Sequence, residues 1–541
     1  MTMRILPVGR STVLVELPGL DEVLALQASL ASAPIGGVTE LLPAARTLML
    51  RFDPLRLTRE QLEGVLAEAF TDTQARRGTV AHTRASRPLI EIPVRYDGED
   101  LAEVARLAGL TVEEVIRHHQ ASEFTVAFCG FAPGFAYMVG GDPALQVPRR
   151  ATPRPQVPAG AVALGGAYCG VYPQATPGGW QLIGSTPMVM WDPDREPPAL
   201  LAPGTRVRFR GVAEGEATRE VAPRVGRADL ASRDRPRIEV TATMLPALVQ
   251  DLGRPGCAHL GVAPSGAADR AALQAANRAV GNPPGLPCLE ITLGSAAFRV
   301  PQQAAEGFVV AFAGAPAPIT VQRASGEVFE GALEQPITLG AGDSVKLGYP
   351  ARGLRSFLAV RGGFEVKNAL GSASRDTLAA LGPAPVVKGS VLAVARASAS
   401  APLVAAVPSG ERVELRSAAR QLPASGETVV LDIDLGPRAD WFTGEAVAAL
   451  CGQEWKVTPQ SSRVGLRLRG EQTLARRDAT ELLSEGVVRG AIQVPHDGQP
   501  VLLLADHPLT GGYPVIGVVA EHHLDLAGQI PPGAKVRFRA T

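Results

Sequence analysis

Apolar and polar positions follow different rhythms in different parts of this chain. Within residues 1–85, TVLVEL and TLMLRF are dense in β-branched and aliphatic residues and predict strands. Between them, LDEVLALQASLA spaces its apolar residues at the helical period. Thr58-Arg59-Glu60-Gln61 is a capping box and predicts a helix with Leu62, Val65, Leu66 and Ala69 on its apolar side. RPLIEIPVRYDG predicts another strand, and two short helices follow, the second opened by Thr111 and Glu114. From Phe124 to Arg210 the texture becomes short strands between Gly/Pro turns, as in a compact barrel or sandwich. These patterns predict an α+β unit over 1–85 and a β-rich unit over 86–212.

Residues 213–236 are charged and lack aromatics, which reads as a linker. A second half follows, divided into 237–395 and 396–541. Its first unit opens with a strand and a tight loop, then a helix over Ala267–Val280 that Gly281 stops. The last β-rich unit becomes regular near Val429. An internal repeat links the halves. GGWQLIG (178–184) matches GGYPVIG (511–517), each preceded by a related opening, PAGAVAL or VRGAIQV, and followed by a related closing strand, APGTRVRFR or PPGAKVRFR. One such match is a common turn and strand; three in the same order predict two related β-barrel modules, one ending each half. The fold class is therefore mainly β with α+β elements.

Length and composition bound the function. At 541 residues the chain has room for several domains, and 46% hydrophobic with 20% charged content excludes wholesale disorder. A formal net charge of +0 gives no long-range pull towards nucleic acid or an acidic membrane. No apolar run reaches transmembrane length, and the apolar start of MTMRILPVGRST breaks early, so neither a membrane span nor a signal peptide is expected. The five cysteines are scattered and none forms C-x-x-C, which predicts reduced thiols, a cytoplasmic location and no metal site of the zinc type. The five lysines are Lys346, Lys367, Lys388, Lys456 and Lys535. No G-K pair exists, so a Walker A loop is absent; no lysine follows Met, so no covalently attached biotin is expected. Adjacent His118/His119 and His522/His523 point apart on one element and are not natural metal clamps.

What remains is a set of Gly-rich polar loops. FCGFAPGFAYMVGG offers Gly130, Phe131, Gly134, Phe135 and Tyr137; PRRATPRPQVPAG offers Arg149, Arg150 and Arg154; TPGGWQ offers Gly178, Gly179 and Trp180. In the second half come Asp251 and Arg254 (DLGRPG), Ser265, Gly266 and Asp269 (PSGAADR), Arg463 (QSSRVG), Gln493 and Asp497 (QVPHDGQ), and Gly511, Gly512 and Tyr513 (TGGYP). Glycines expose backbone N–H groups that cradle oxyanions, arginines neutralise charge in a bidentate fork, and aromatics exclude water. Singly, each loop reads as a chain reversal between strands; as a set they read as a site for a small anionic or amide-like ligand. Asp251, Asp269 and Asp497 are the acid/base candidates; Asp269 reads equally as a helix-dipole partner and Asp497 as a turn residue.

CGFAPGFAYMVG, VPRRATPRPQVPAGAVALGG and YPQATPGGWQLIGSTP resemble the B subunit of bacterial ATP-dependent 5-oxoprolinase. QDLGRPGCAHLGVAPSGAADRAALQAANRAVGN, LDIDLGPRADWF and GAIQVPHDGQPVLLLADHPLTGGYPVIGVVA resemble the C subunit of that enzyme, and the two together resemble the carboxyltransferase region of urea carboxylase. The chain departs from the family pattern at Ser462, Val464, Leu466, Pro508 and Leu509. The resemblance implies cyclophilin-like barrels and a part in opening 5-oxoproline to glutamate. It implies ATP as a substrate, with Mg, and as partner a separate 5-oxoprolinase A subunit. Two alternatives stand beside it: a carboxyltransferase component of a biotin-dependent urea or amide carboxylase, and a non-enzymatic regulator of a kinase. A homo-oligomer is left open.

Overall fold

The computed structural model describes residues 3–75, 89–150, 152, 154–212, 236–395, 421–477 and 480–541. The expected linker, apart from its last residue, and the Ala/Ser-rich stretch 396–420 fall outside them. The chain is mainly β throughout.

The N-terminal sheet has strands β1 (Arg4–Pro7), β2 (Thr12–Glu16), β3 (Val38–Pro43) and β4 (Thr47–Phe52) in the order β1-β2-β4-β3. Helices α1 (Leu20–Ser32) and α2 (Arg59–Ala75) cover one face. The expected capping box forms at α2: the Thr58 amide donates to Gln61 Oε1 at 2.9 Å and the Gln61 amide to Thr58 Oγ1 at 3.3 Å. Strand alternation explains the sheet's density of apolar residues. Val13, Val15, Leu48 and Leu50 face the helices, whereas Leu14 and Met49 point the other way and pack on Val487, Leu509 and Val518 near the C-terminus. The central strands β2 and β4 are buried on both faces along VLV and LML, which is why those segments read as continuous apolar runs.

The first barrel contains β5 (Leu89–Val94), helices α3 (Leu101–Ala108) and α4 (Val112–Ala121), then β6 (Glu123–Cys129), β7 (Ala136–Val139), β8 (Ala161–Gly165), β9 (Tyr168–Val171), β10 (Gln181–Ser185) and β11 (Arg206–Gly211). Its order is β10-β8-β9-β7-β6-β11-β5, and a bridge between Arg95 and Ser185 brings β5 back to β10. In the second half, a six-stranded and a five-stranded sheet stack around Phe298, Phe312, Leu358 and Val360, with α5 (Arg270–Ala279) against the latter. That helix starts later than expected. Ser265 (φ 53°) and Gly266 (φ 88°) are left-handed, and Asp269 is extended and caps the Ala272 amide at 3.0 Å, so helical geometry begins only at Arg270.

The last barrel is closed: β12 (Thr428–Leu435), helix α6 (Gly444–Gly452), β13 (Trp455–Val457), β14 (Gly465–Arg469), β15 (Ala491–Gln493), β16 (Val501–Leu503), β17 (Val515–Val519) and β18 (Lys535–Ala540), ordered β12-β17-β15-β16-β14-β13-β18. Matched strand for strand, the two barrels have one topology. In both, the first and last strands pair in parallel, β5 with β11 and β12 with β18. In both, the Gly-Gly-aromatic strand pairs with the opening strand through a register shift, β10 with β8 and β17 with β15. The sequence repeat is thus a repeated barrel. Among the described residues, no helix is long and apolar enough to cross a membrane.

Candidate functional site at the seam between the barrels

The loop from Gly130 to Phe135 joins β6 to β7 and faces the last barrel. A Cβ on Gly130 would come within 2.4 Å of Thr510 Oγ1, so only glycine allows this approach. The Phe131 amide donates to Thr510 Oγ1 at 3.2 Å, and Gly134 (φ 73°) donates its amide to the Leu260 carbonyl at 3.1 Å. The backbone that the sequence offered to a ligand here meets the second half of the chain. Behind the loop, Phe128, Phe135, Tyr137, Tyr172 and Trp180 form a buried aromatic cluster. Tyr137 is stacked 4.5 Å from Phe128 and stands edge-on to Phe135 and Trp180. Trp180 fits because Gly165 has no Cβ, which would sit 2.8 Å from the indole. Burial pushes the Tyr137 phenol up, opposed by Arg149 and by hydrogen bonds with Ser484 and Thr510 across the seam.

Arg149 completes this face. Its guanidinium stands 5.9 Å over the Trp180 ring and 3.2 Å from Glu481, about a third exposed. On the opposite wall, Gln493 from β15 donates to the Tyr513 carbonyl at 3.3 Å, and Gly511 lies so close that a Cβ would be 2.6 Å from Gln493 Nε2. Gly512 places its missing Cβ 4.0 Å from Arg149 Nη1. Exposed Tyr513 meets the edge of His496 at 5.7 Å. Among the described residues no acceptor meets the amides of Gly512 and Tyr513. A cation, two open N–H groups and an aromatic floor within one seam can hold a carboxylate or an amide oxygen.

A second group of expected site residues comes together elsewhere, in a buried ionic network. Arg463 binds Asp506 through Nε and Nη2, both at 2.9 Å, Glu290 at 2.6 Å and the Gly266 carbonyl at 2.6 Å. Ser265 donates to Asp506 at 2.7 Å. Asp251 accepts from the Gly253 amide, Ser372, Ser374 and the Ala373 amide, while Arg254 reaches the Ala369 and Ser374 carbonyls. Asp269 caps α5 and accepts from Gln529 at 2.9 Å. This network ties the middle sheets to the last barrel. Burial would push Asp506 up, but the Arg463 guanidinium and hydrogen bonds from Ser265 and Thr377 hold it below the usual range. Burial and neighbouring Asp506 push Asp376 up to about 7. A raised folded-state value gives stability that is full below the unfolded value and is lost as pH rises through the folded one. The melting temperature of the wild type is therefore expected to fall, relative to that of Asp376→Asn, between about pH 4 and about pH 8. Parallel pH curves for the two proteins would contradict this.

The remaining expected residues sit apart. Arg154, with Arg150, closes on Asp100 at 2.6–2.9 Å. Gly178 has no room for a Cβ beneath the Tyr172 hydroxyl, and the Gly179 carbonyl accepts the Arg150 amide at 2.8 Å. Asp497 is exposed and accepts from the Gln499 amide in its own turn. Arg149 is one of three arginines in its loop, and nothing in the sequence separates it from the other two; Thr510 and Ser484 carry no local signal. His522 and His523 do converge with Asp432. That carboxylate also accepts Arg539 at 2.6 Å, and His523 Nδ1 already accepts the Asp432 amide at 2.9 Å.

Comparison with known proteins places this architecture. The carboxyltransferase domain model for subdomains C and D matches residues 3–201, and that for subdomains A and B matches residues 260–540. The chain is 38% identical over 199 residues to the B subunit of 5-oxoprolinase from Bacillus subtilis, covering 36% of this chain and 83% of that protein. It is 34% identical over 296 residues to the C subunit of 5-oxoprolinase from Escherichia coli, covering 54% and 86%. It is also 31% identical over 325 residues to urea amidolyase of Lachancea kluyveri, covering 56% of this chain and 17% of that much longer protein. The solved structure of TTHA0988 superposes over 99% of this chain and 100% of its own, with a TM-score of 0.78 at 34% identity. By these matches the chain belongs to the carboxyltransferase-domain family, with the subdomain C and D module and the subdomain A and B module joined in one polypeptide.

Proposed function

We propose that this chain is the joined B and C component of an ATP-dependent 5-oxoprolinase, which opens the 5-oxoproline lactam to L-glutamate together with a separate A subunit. The observation that carries this reading is the match of one chain to relatives named as the B and C subunits of 5-oxoprolinase, at 83% and 86% of their lengths. A lactam is a poor electrophile, and phosphorylation of its oxygen by ATP, with Mg, would supply a leaving group. In this reading, Arg149 and the Gly512 and Tyr513 amides hold the 5-oxoproline carboxylate. Phe131, Tyr513 and half-buried Tyr168, whose ring is stacked 6.5 Å from Trp180, keep water from the face where the lactam rests. The likeness to urea amidolyase supports a second reading, carboxyl transfer to urea or a related amide, with the biotin carrier on another polypeptide.

The test is to mix the chain with a candidate for the A subunit, then to follow ATP-dependent glutamate release from 5-oxoproline. Arg149→Met is expected to lower kcat/KM about 10- to 100-fold, the effect of one charge-assisted contact, with an unchanged melting temperature. Urea-dependent turnover with a biotin carboxylase, and no glutamate release, would move the function to the second reading. Regulation of a kinase without any turnover would exclude both.

A further inference from the structure

A cleft of about 90 Å³ lies between three segments distant in sequence: the β1–β2 turn with β4, the loop entering α5, and one end of the last barrel. The aromatic residues of the seam take no part in it. Four arginines line it: exposed Arg10 in the β1–β2 turn, Arg51 on β4, Arg270 at the start of α5, and Arg489 just before β15. Arg489 donates to the Ala268 and Leu524 carbonyls at 2.6 and 3.2 Å, yet its Nε is buried without an acceptor. The Nε of Arg270 is likewise buried without an acceptor. Among the described residues, no hydrogen-bond acceptor meets the guanidinium of Arg270 or of Arg51.

The acidic groups nearby are already engaged. Asp525 accepts the Arg270 and Ala271 amides at 3.0 and 3.1 Å and stands 3.7 Å from Arg489. Glu40 accepts the Gly256 and Ala258 amides, Glu521 accepts the Ser11 hydroxyl, and Asp434, also on the cleft wall, accepts the Thr541 hydroxyl at 3.3 Å. Desolvation lowers both Arg270 and Arg489, and like charge lowers each further, Arg51 acting on Arg270 and Arg270 on Arg489, against an opposing pull from Asp525 on both and from Glu521 on Arg270. Clustered guanidinium groups with open donors and mutual repulsion are stabilised by an anion placed between them.

His507 makes the anion more specific. It lines the same cleft and is buried, and desolvation pushes its ring down to about 4, so it is neutral. Its Nδ1 lies 2.8 Å from the Pro508 carbonyl, which can only accept, so Nδ1 carries the hydrogen. Nε2 is then a lone-pair acceptor, without a partner among the described residues. An acceptor among these cations suits an oxyanion that still carries a proton.

We propose that this cleft binds a protonated tetrahedral oxyanion, either inorganic phosphate or the terminal phosphate of a nucleotide, held by Arg51, Arg270 and Arg489 and recognised by His507. The proposal does not rest on the lactam reading above, and the full chain alone tests it. Calorimetric titration at matched ionic strength is expected to give one phosphate site per chain, with sulfate bound at least about tenfold more weakly because it has no proton for Nε2. Arg270→Gln should weaken phosphate about tenfold or more, while the ligand-free protein melts no lower than the wild type. His507→Gln should narrow the phosphate–sulfate difference. ADP that competes with phosphate, and weakens in parallel in Arg270→Gln, identifies the nucleotide as the source; ADP that does not compete identifies free phosphate. Absence of saturable phosphate binding, sulfate binding as tightly, or undiminished affinity in both Arg51→Gln and Arg270→Gln overturns the proposal.

Discussion

Replacing Arg463 with methionine is expected to cost roughly 3–5 kcal/mol of stability, the penalty for breaking a buried ion pair from one side. The side chain is 5% exposed and satisfies Asp506, Glu290 and the Gly266 carbonyl together. Methionine fills much of the volume but leaves Asp506 with only neutral donors, Ser265 and Thr377. Glu290 keeps Arg355 at 3.3 Å, so the larger share of the loss falls on Asp506. Denaturant unfolding should show an earlier transition for the second half. Removing the charges together, in Arg463→Met with Glu290→Gln and Asp506→Asn, should recover much of it, because no uncompensated carboxylate remains buried. An unchanged transition in the single variant would mean that the network does not hold the middle sheets to the last barrel.

Gly130→Val is expected to reduce activity to background while each barrel stays folded. Gly130 does not have a positive φ, so the constraint is space and not backbone strain. A Cβ there would meet Thr510 Oγ1 at 2.4 Å and Cγ2 at 2.8 Å, and valine adds two methyl groups aimed at the same wall. The seam must open, which separates Arg149 and Trp180 from Gly512 and breaks the Phe131–Thr510 hydrogen bond. Far-UV circular dichroism should be unchanged, tryptophan emission should shift to the red, and ATP-dependent glutamate release with the A subunit present should vanish. Gly130→Ala combined with Thr510→Ala should restore part of it, since the nearest remaining atom, Thr510 Cβ, is 3.2 Å away. Full turnover by Gly130→Val would show that the seam is only a packing surface.

These two positions mark how far a linear reading reaches. Arg463, Ser265 and Gly266 are recognisable as unusual residues, yet a charged residue in a Gly loop looks the same whether it faces a ligand or a buried carboxylate. The difference lies in Asp506 and Glu290, which stand 43 and 173 residues away from Arg463. Likewise, the glycines of CGFAPGF announce a close approach but not its partner, which is Thr510, 379 residues from Phe131. Arg149 is visible in the sequence only as one of three arginines; pairing with Asp100 removes Arg150 and Arg154 and leaves Arg149 at the seam.

The local order of the chain is readable because its causes are local. Apolar period, capping boxes and Gly-Gly-aromatic turns act over a few residues, and they specify the α+β opening, the short-strand texture and the repeated barrel. Tertiary structure alone decides how the halves interlock. Leu14 and Met49 alternate away from their own helices and are buried against Val487, Leu509 and Val518 of the other half. Strand alternation guarantees that such residues need a second partner, but it does not name one. The same holds for the arginine cleft, whose cations come from the β1–β2 turn, β4, α5 and the last barrel: repulsion and open donors exist only once folding has brought them together.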